Sequence, residues 1–211
     1  MLSEKKAILK KQTFAKAINV FLLRLSFVIS RLIKKSIHWG HPMSLSIEPT
    51  TECNLHCAEC PSGNGRLTRP SGKIEFDFYK NIINHTYKKL SYLMLYHQGE
   101  PFLHQNLFQL ISYANSKNIY TVTSTNGHFL NEKNIRNIIE SGLDKLIISV
   151  DGLNQETYEQ YRSGGQLEKV LDGIRSLSDM KYKTSYQKPY IEIQFLVNQY
   201  NEDQISGMTE L

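Results

Sequence analysis

From Ser44 to Val197, short apolar or β-branched runs alternate with stretches in which apolar residues return every three or four positions. The runs SLSIEPT (44–50), YLMLYH (92–97), NIYTVTST (118–125), KLIISVD (145–151) and YIEIQFLV (190–197) predict five strands, of the kind buried on both faces of a parallel sheet. Helices are predicted between them. One spans 78–90 with Asp77 as its N-cap, and another spans 107–117. A third, 132–140, is capped by Asn131, carries Ile135, Ile138 and Ile139 on one face, and stops at Gly142. The fourth, 167–180, aligns Val170, Leu171, Ile174 and Leu177 on one face, and Asn201 marks the start of a further helix. Such strand–helix repetition predicts an α/β fold, with a parallel sheet and right-handed crossovers. No G-x-G-x-x-G follows the first strand, so a dinucleotide-binding fold is not supported.

The first forty residues stand apart from this pattern, dividing the chain into segments 1–40 and 41–211. Phe14, Ala17, Ile18, Phe21, Leu22, Leu25, Val28, Ile29 and Leu32 recur at helical spacing, interrupted by Lys16, Arg24, Arg31, Lys34 and Lys35. One basic amphipathic helix over about residues 5–35 is expected. Arg24 and Arg31 break any charge-free run near the ~18 residues that a spanning helix needs. Two destinations suit its apolar face: the surface of an anionic membrane, or protein, such as the bottom of a barrel.

Charge sharpens the division. Residues 1–35 hold nine Lys/Arg and one acid, net +8, whereas the other 176 hold sixteen basic and nineteen acidic residues, net −3. The folded part is therefore not broadly basic, and a nucleic-acid partner is not indicated. At 40% hydrophobic residues and mean hydropathy −0.39, the composition excludes gross disorder and a multi-span membrane protein. The start has no compact apolar run ending in a cleavage site, so no secretory leader is expected.

The three cysteines, Cys53, Cys57 and Cys60, all lie in CNLHCAEC, directly after the first strand. A disulfide framework would scatter them, and clustered free thiols point to the reducing cytoplasm. In α/β barrels the loops at the carboxyl ends of strands build the active site. Three thiolates on a [4Fe–4S] cube would leave one iron open for direct binding, where four would close it. Zinc is the alternative, but it needs four ligands, and His56 lies awkwardly between two of the cysteines. Three unrelated buried cysteines are a further alternative, which the polar neighbours Asn54, His56 and Glu59 disfavour.

C-x-x-x-C-x-x-C after a first strand resembles the signature of the radical S-adenosylmethionine (radical SAM) superfamily, and the likeness extends from about Ser44 to the end of the chain. The resemblance implies a partial (β/α)6 TIM-like barrel, five strands of which are visible. It implies a [4Fe–4S] cluster on Cys53, Cys57 and Cys60, with S-adenosylmethionine as the second cofactor. QGEP at 98–101 is similar to the GGEP motif, whose backbone groups meet the methionyl amino group; Gln98 replaces its first glycine, while Gly99, Glu100 and Pro101 stay in register. STNG at 124–127 resembles a turn beside the cofactor and brings in Asn126, although an ordinary Asn-Gly turn reads the same way. SVDG at 149–152 and the later Arg162 resemble groups that hold the cofactor's carboxylate or ribose, which nominates Ser149, Asp151 and Arg162. A surface ion pair or a helix cap would equally account for Asp151 and Arg162.

The chemistry so implied is reductive cleavage of S-adenosylmethionine, with an electron from a flavodoxin or ferredoxin. It yields a 5′-deoxyadenosyl radical that takes a hydrogen atom from a substrate. No catalytic side chain is singled out; Tyr96, His97 and Gln194 are polar groups placed to face the barrel mouth. The run SVDGLNQETYEQYRSGG and the loop RLTRPSGKI look most like the SPASM-type subgroup, which implies a peptide substrate. No cysteine follows Cys60 and no sixth strand is visible, so a C-terminally incomplete core is expected. A non-catalytic module that holds the cluster and S-adenosylmethionine without turnover is the other reading.

Overall fold

Five parallel strands lie side by side in chain order in the computed structural model, which describes residues 2–184 and 186–210. They are β1 (Ser44–Ser46), β2 (Tyr92–Met94), β3 (Tyr120–Thr125), β4 (Lys145–Ser149) and β5 (Tyr190–Gln194). Helix α3 (Phe76–Thr86) joins β1 to β2, α4 (Leu107–Ser116) joins β2 to β3, and α5 (Glu132–Glu140) joins β3 to β4. Two helices, α6 (Gln155–Tyr161) and α7 (Leu167–Thr184), lie between β4 and β5. Sequential order with helical crossovers is the topology of a partial α/β barrel, as expected.

Alternation along the strands sorts side chains into two layers. Leu93, Leu95, Leu146 and Ile148 face the helices and pack with Ile83, Ile111, Ile138 and Val170 in the main core. The intervening residues face the concave side and form a graded column. At its base Lys145 pairs with Glu192 (2.6 Å) and Glu4 (3.3 Å). Tyr120, Val122 and Ile147 fill the middle, with Tyr92 stacked on Tyr120 at 5.4 Å. Tyr96, Ser124, Ser149 and Gln194 stand at the top and line an open cleft. Burial on both faces holds for β3 and β4; the edge strands β1 and β5 are partly exposed.

Several sequence expectations shift. The first predicted strand is only three residues long, because the chain leaves the sheet before Pro49. Helix α3 begins after Glu75, which makes no side-chain cap; Asp77 lies in the first turn, where its carboxylate favours the helix dipole and pairs with Lys80 at 3.6 Å. Asn131 does cap α5, accepting from Asn134 N at 3.0 Å, and Gly142 ends it in the left-handed region (φ 74°). Past Asn201 there is a 3-10 turn, Glu202–Gln204, in place of an α-helix.

The single N-terminal helix expected from periodicity is two helices, α1 (Leu2–Lys10) and α2 (Phe14–Ile33), bent by 110°. Thr13 starts the second, its hydroxyl accepting from Lys16 N. Tertiary contacts hold the corner: Lys11 pairs with the buried Asp144 and donates to Ile119 O at 2.9 Å. Ala7 and Ile8 pack beneath Tyr120 and Val122, so α1 plugs the base of the barrel.

Lys16 at this corner is 1% exposed and donates to Asn118 O at 2.5 Å. Burial, and then the charge of Lys11, push its ammonium down to about 8. The fold disfavours the charged form, so the unfolded chain binds this proton more tightly and stability rises from about pH 8 toward the ordinary lysine range near 10.5. The Lys16-dependent part is read as a difference: the denaturant midpoint of the wild type relative to that of Lys16→Met should rise between about pH 8 and 10.5.

Candidate active site

At the carboxyl ends of the strands the barrel opens into a cleft of about 330 Å³. Cys53, Cys57 and Cys60 line it together with Gln98, Gly99, Glu100, Asn126, Ser149 and Arg162. All three thiols are free; Cys57 is buried, and the other two are partly exposed. The loop is wrapped by its own backbone, with Cys60 N donating to Cys57 O (3.1 Å) and Asn64 N to Cys60 O (2.9 Å). His56 N reaches Ser163 O at 3.0 Å and ties the loop to the α6–α7 turn. Burial pushes the Cys53 and Cys57 thiols up; at Cys57 the adjacent Arg162 guanidinium works in the opposite direction.

Glu100 organises part of this lining. It is 2% exposed, and its carboxylate accepts from Asn126 N (2.8 Å), Thr125 Oγ1 (2.9 Å) and Phe102 N (3.1 Å). Its own N–H donates to Glu52 O at 2.7 Å. One residue thus ties the β2 and β3 ends to the start of the cysteine loop. Burial raises its carboxyl to about 7 against the pull of those donors. Gly99 is required by contact: a Cβ there would lie 2.0 Å from Thr50 O. Asn126 Nδ2 donates to Asn54 Oδ1 (2.8 Å) and lies 3.9 Å from Cys53 Sγ, and Gln98 O lies 3.8 Å from Cys60 Sγ.

Arg162 enters from the end of α6. Its Nε donates to the fully buried Asp151 carboxylate at 2.6 Å, and Asp151 also accepts from Leu196 N at 2.7 Å. The arginine is thereby clamped beside Cys57, with which its side chain also hydrogen-bonds. His128 is buried and neutral, because Nε2 accepts from Gln166 N at 2.8 Å. It joins the Asn126 turn to the start of α7, with Nδ1 3.1 Å from Asn126 Oδ1.

Of the residues nominated from sequence, Gly99, Glu100, Asn126, Ser149, Arg162 and the three cysteines meet around this cleft, as do Tyr96, His97 and Gln194. Pro101 and Asp151 do not line it: Pro101 is buried at the start of a 3-10 turn, and Asp151 lies behind Arg162. Sequence reasoning missed Glu48, which accepts from Gln98 N (3.0 Å) and pairs with Arg69 (2.6 Å), and it missed Tyr161 in the lining. A lone glutamate at a strand end carries no signal. The arginine in the loop after the cysteines was the only hint of its partner.

The donor set fits an iron–sulfur cube. From the cysteine loop the donors that face the cleft are the three sulfurs, whereas His56 is exposed, with Nδ1 3.2 Å from Gly63 O, and does not line it. Among the described residues no three His, Cys, Asp or Glu side chains converge to hold one metal ion. A cube instead takes each thiolate on a separate iron.

A partial parallel barrel with a three-thiol loop at the carboxyl end of its first strand defines a cluster-binding α/β protein. The radical SAM superfamily pattern matches residues 47–191, and the chain belongs to that superfamily, whose cofactors are a [4Fe–4S] cluster and S-adenosylmethionine. It is 28% identical to the AdoMet-dependent heme synthase of Methanosarcina barkeri over 64% of its own length and 39% of that protein. To the mycofactocin maturase MftC of Mycolicibacterium smegmatis it is 25% identical over 81% of its length and 41% of the relative. The chain thus spans about two fifths of these relatives. The fold is similar to Streptococcus suis SuiB bound to precursor peptide SuiA (TM-score 0.66, 16% identity, 86% of this chain and 39% of that one). It is also similar to anSMEcpe with bound AdoMet (TM-score 0.61, 19% identity, 80% and 48%).

Two substitutions test the framework. Asp151→Asn removes the partner of a buried arginine and should cost about 3–5 kcal/mol in urea unfolding. Gly99→Ala forces the Thr50 carbonyl away and should cost about 1–3 kcal/mol, with a matching fall in iron bound after anaerobic reconstitution.

Proposed function

We propose that this chain is a catalytic radical SAM core of the SPASM-type subgroup, acting on a peptide. Cys53, Cys57 and Cys60 would hold the [4Fe–4S] cluster, which as a three-cysteine set would leave it able to take S-adenosylmethionine. Backbone groups of Gln98 and Gly99 would meet its amino group, and Arg162 and Ser149 would grip its carboxylate or ribose. Asn126 holds the cysteine loop beside these groups. When bound, the two cofactors supply a 5′-deoxyadenosyl radical that removes a hydrogen atom from the substrate. The stacked tyrosines of the lumen and the α1 plug keep water from entering from below. A flavodoxin or ferredoxin delivers the electron, and the free thiols suit a reducing cytoplasm. The peptide substrate draws support from similarity to a mycofactocin maturase and to a fold seen with a precursor peptide.

The observation that carries this reading is the convergence of three free thiols with Arg162, Ser149 and Asn126 on one cleft. Reconstituted anaerobically with iron and sulfide, the protein should turn brown. With a reductant and S-adenosylmethionine it should release 5′-deoxyadenosine. Cys57→Ala should abolish both. Tight binding of S-adenosylmethionine without release would instead identify a module that holds the cofactors and does no turnover. A colourless protein binding one equivalent of zinc would refute the reading.

A further inference from the structure

Helix α2 is turned with its polar side inward. Its buried residues are Lys16, Asn19 and Ser26. Hydrogen bonds fix this rotation: Asn19 bonds the backbone of His41 through both side-chain atoms (2.8 and 2.9 Å), and Ser30 bonds both backbone groups of Ile37 (2.9 and 3.0 Å). Outward stand Phe14 (83% exposed), Phe21 (62%), Val28 (51%) and Leu32 (77%). Rolling the helix to hide them would break those bonds and bury Arg24 and Arg31. The fold therefore holds this apolar face outward, and an exposed apolar strip bordered by polar groups marks an interaction surface.

What lies along the borders of this face identifies the occupant. Arg24 and Arg31, one heptad apart, run along one edge, and Lys34 and Lys35 follow at the end. On the other edge Trp39, the only tryptophan, sits 44% exposed in a groove with Ala15, Ile18 and Leu22. An apolar strip bordered by cations and an interfacial aromatic ring matches a lipid surface with anionic headgroups. Helix α2 contains no acid, so two copies packed face to face would bring arginines together with nothing to offset them. No single helix among the described residues is long and apolar enough to cross a membrane.

We propose that α2 lies flat on an anionic bilayer. Phe14, Phe21, Val28 and Leu32 enter the acyl boundary, and Arg24, Arg31, Lys34 and Lys35 meet the lipid phosphates. Lys16 and Asn19 anchor α2 to Asn118, Lys89 and His41, all at the amino ends of strands. The cleft opens at the opposite end and stays clear of lipid. This surface is independent of the chemistry of the cleft.

Co-sedimentation with phosphatidylcholine vesicles, with and without phosphatidylglycerol, tests it. The protein should pellet only with the mixed vesicles, and Trp39 fluorescence should shift to the blue. The outward-facing triple change Phe21→Gln, Val28→Gln, Leu32→Gln should abolish both while leaving circular dichroism and reconstituted iron content unchanged. Arg24→Gln with Arg31→Gln should weaken binding by about thirtyfold. Failure to pellet with anionic vesicles, or equal binding to neutral ones, would overturn the proposal. So would a dimer in sedimentation velocity that the triple change dissociates, because a second copy would then cover the face.

Discussion

A curved parallel sheet sends every second side chain of each strand into one shared interior, and the rest of this protein is arranged around that constraint. The same alternation that seats Leu93, Leu146 and Ile148 against the helices places Tyr120, Val122 and Ser124 in one rising column. Charge at the base, packed aromatics in the middle and small polar groups at the top follow from the order of residues along β3, β4 and β5. The cleft is the open end of that column. Its chemistry comes from loops that the column positions but does not contain.

Those loops are cross-tied rather than merely adjacent. Glu100 bonds the β3 end and the cysteine loop together, Asp151 joins Arg162 to the segment after β5, and His128 connects the Asn126 turn to α7. Each tie uses a buried polar group, costly if left unmade. The cysteine loop is thereby held by contacts that the protein itself supplies, the kind of support that a cofactor site requires.

The strands and most helices were legible because periodicity is a local property. Asn131 and Gly142 bounded α5 correctly for the same reason: cap and left-handed stop are written in adjacent residues. Asp77 failed as a cap because α3 starts two residues earlier, a choice made by packing of Phe76 on Tyr113. Clustered cysteines announced themselves by spacing, whereas Glu48 and Arg69 became visible only when the fold brought them within 2.6 Å. Asp151 carried the right motif but serves from behind, holding Arg162 and not the cleft surface.

Local order along the chain thus determined the number and sequence of strands, the thiol loop at the end of the first, and the basic, apolar character of the opening helices. Tertiary structure decided which way those patterns face. Periodicity defines the sides of a helix but not which of them meets protein. The bonds of Lys16, Asn19 and Ser30 to distant or looped-back backbone turned the apolar side of α2 outward, and the pull of Asp144 on Lys11 bent one helix into two. Partners so far apart in sequence are joined by folding alone.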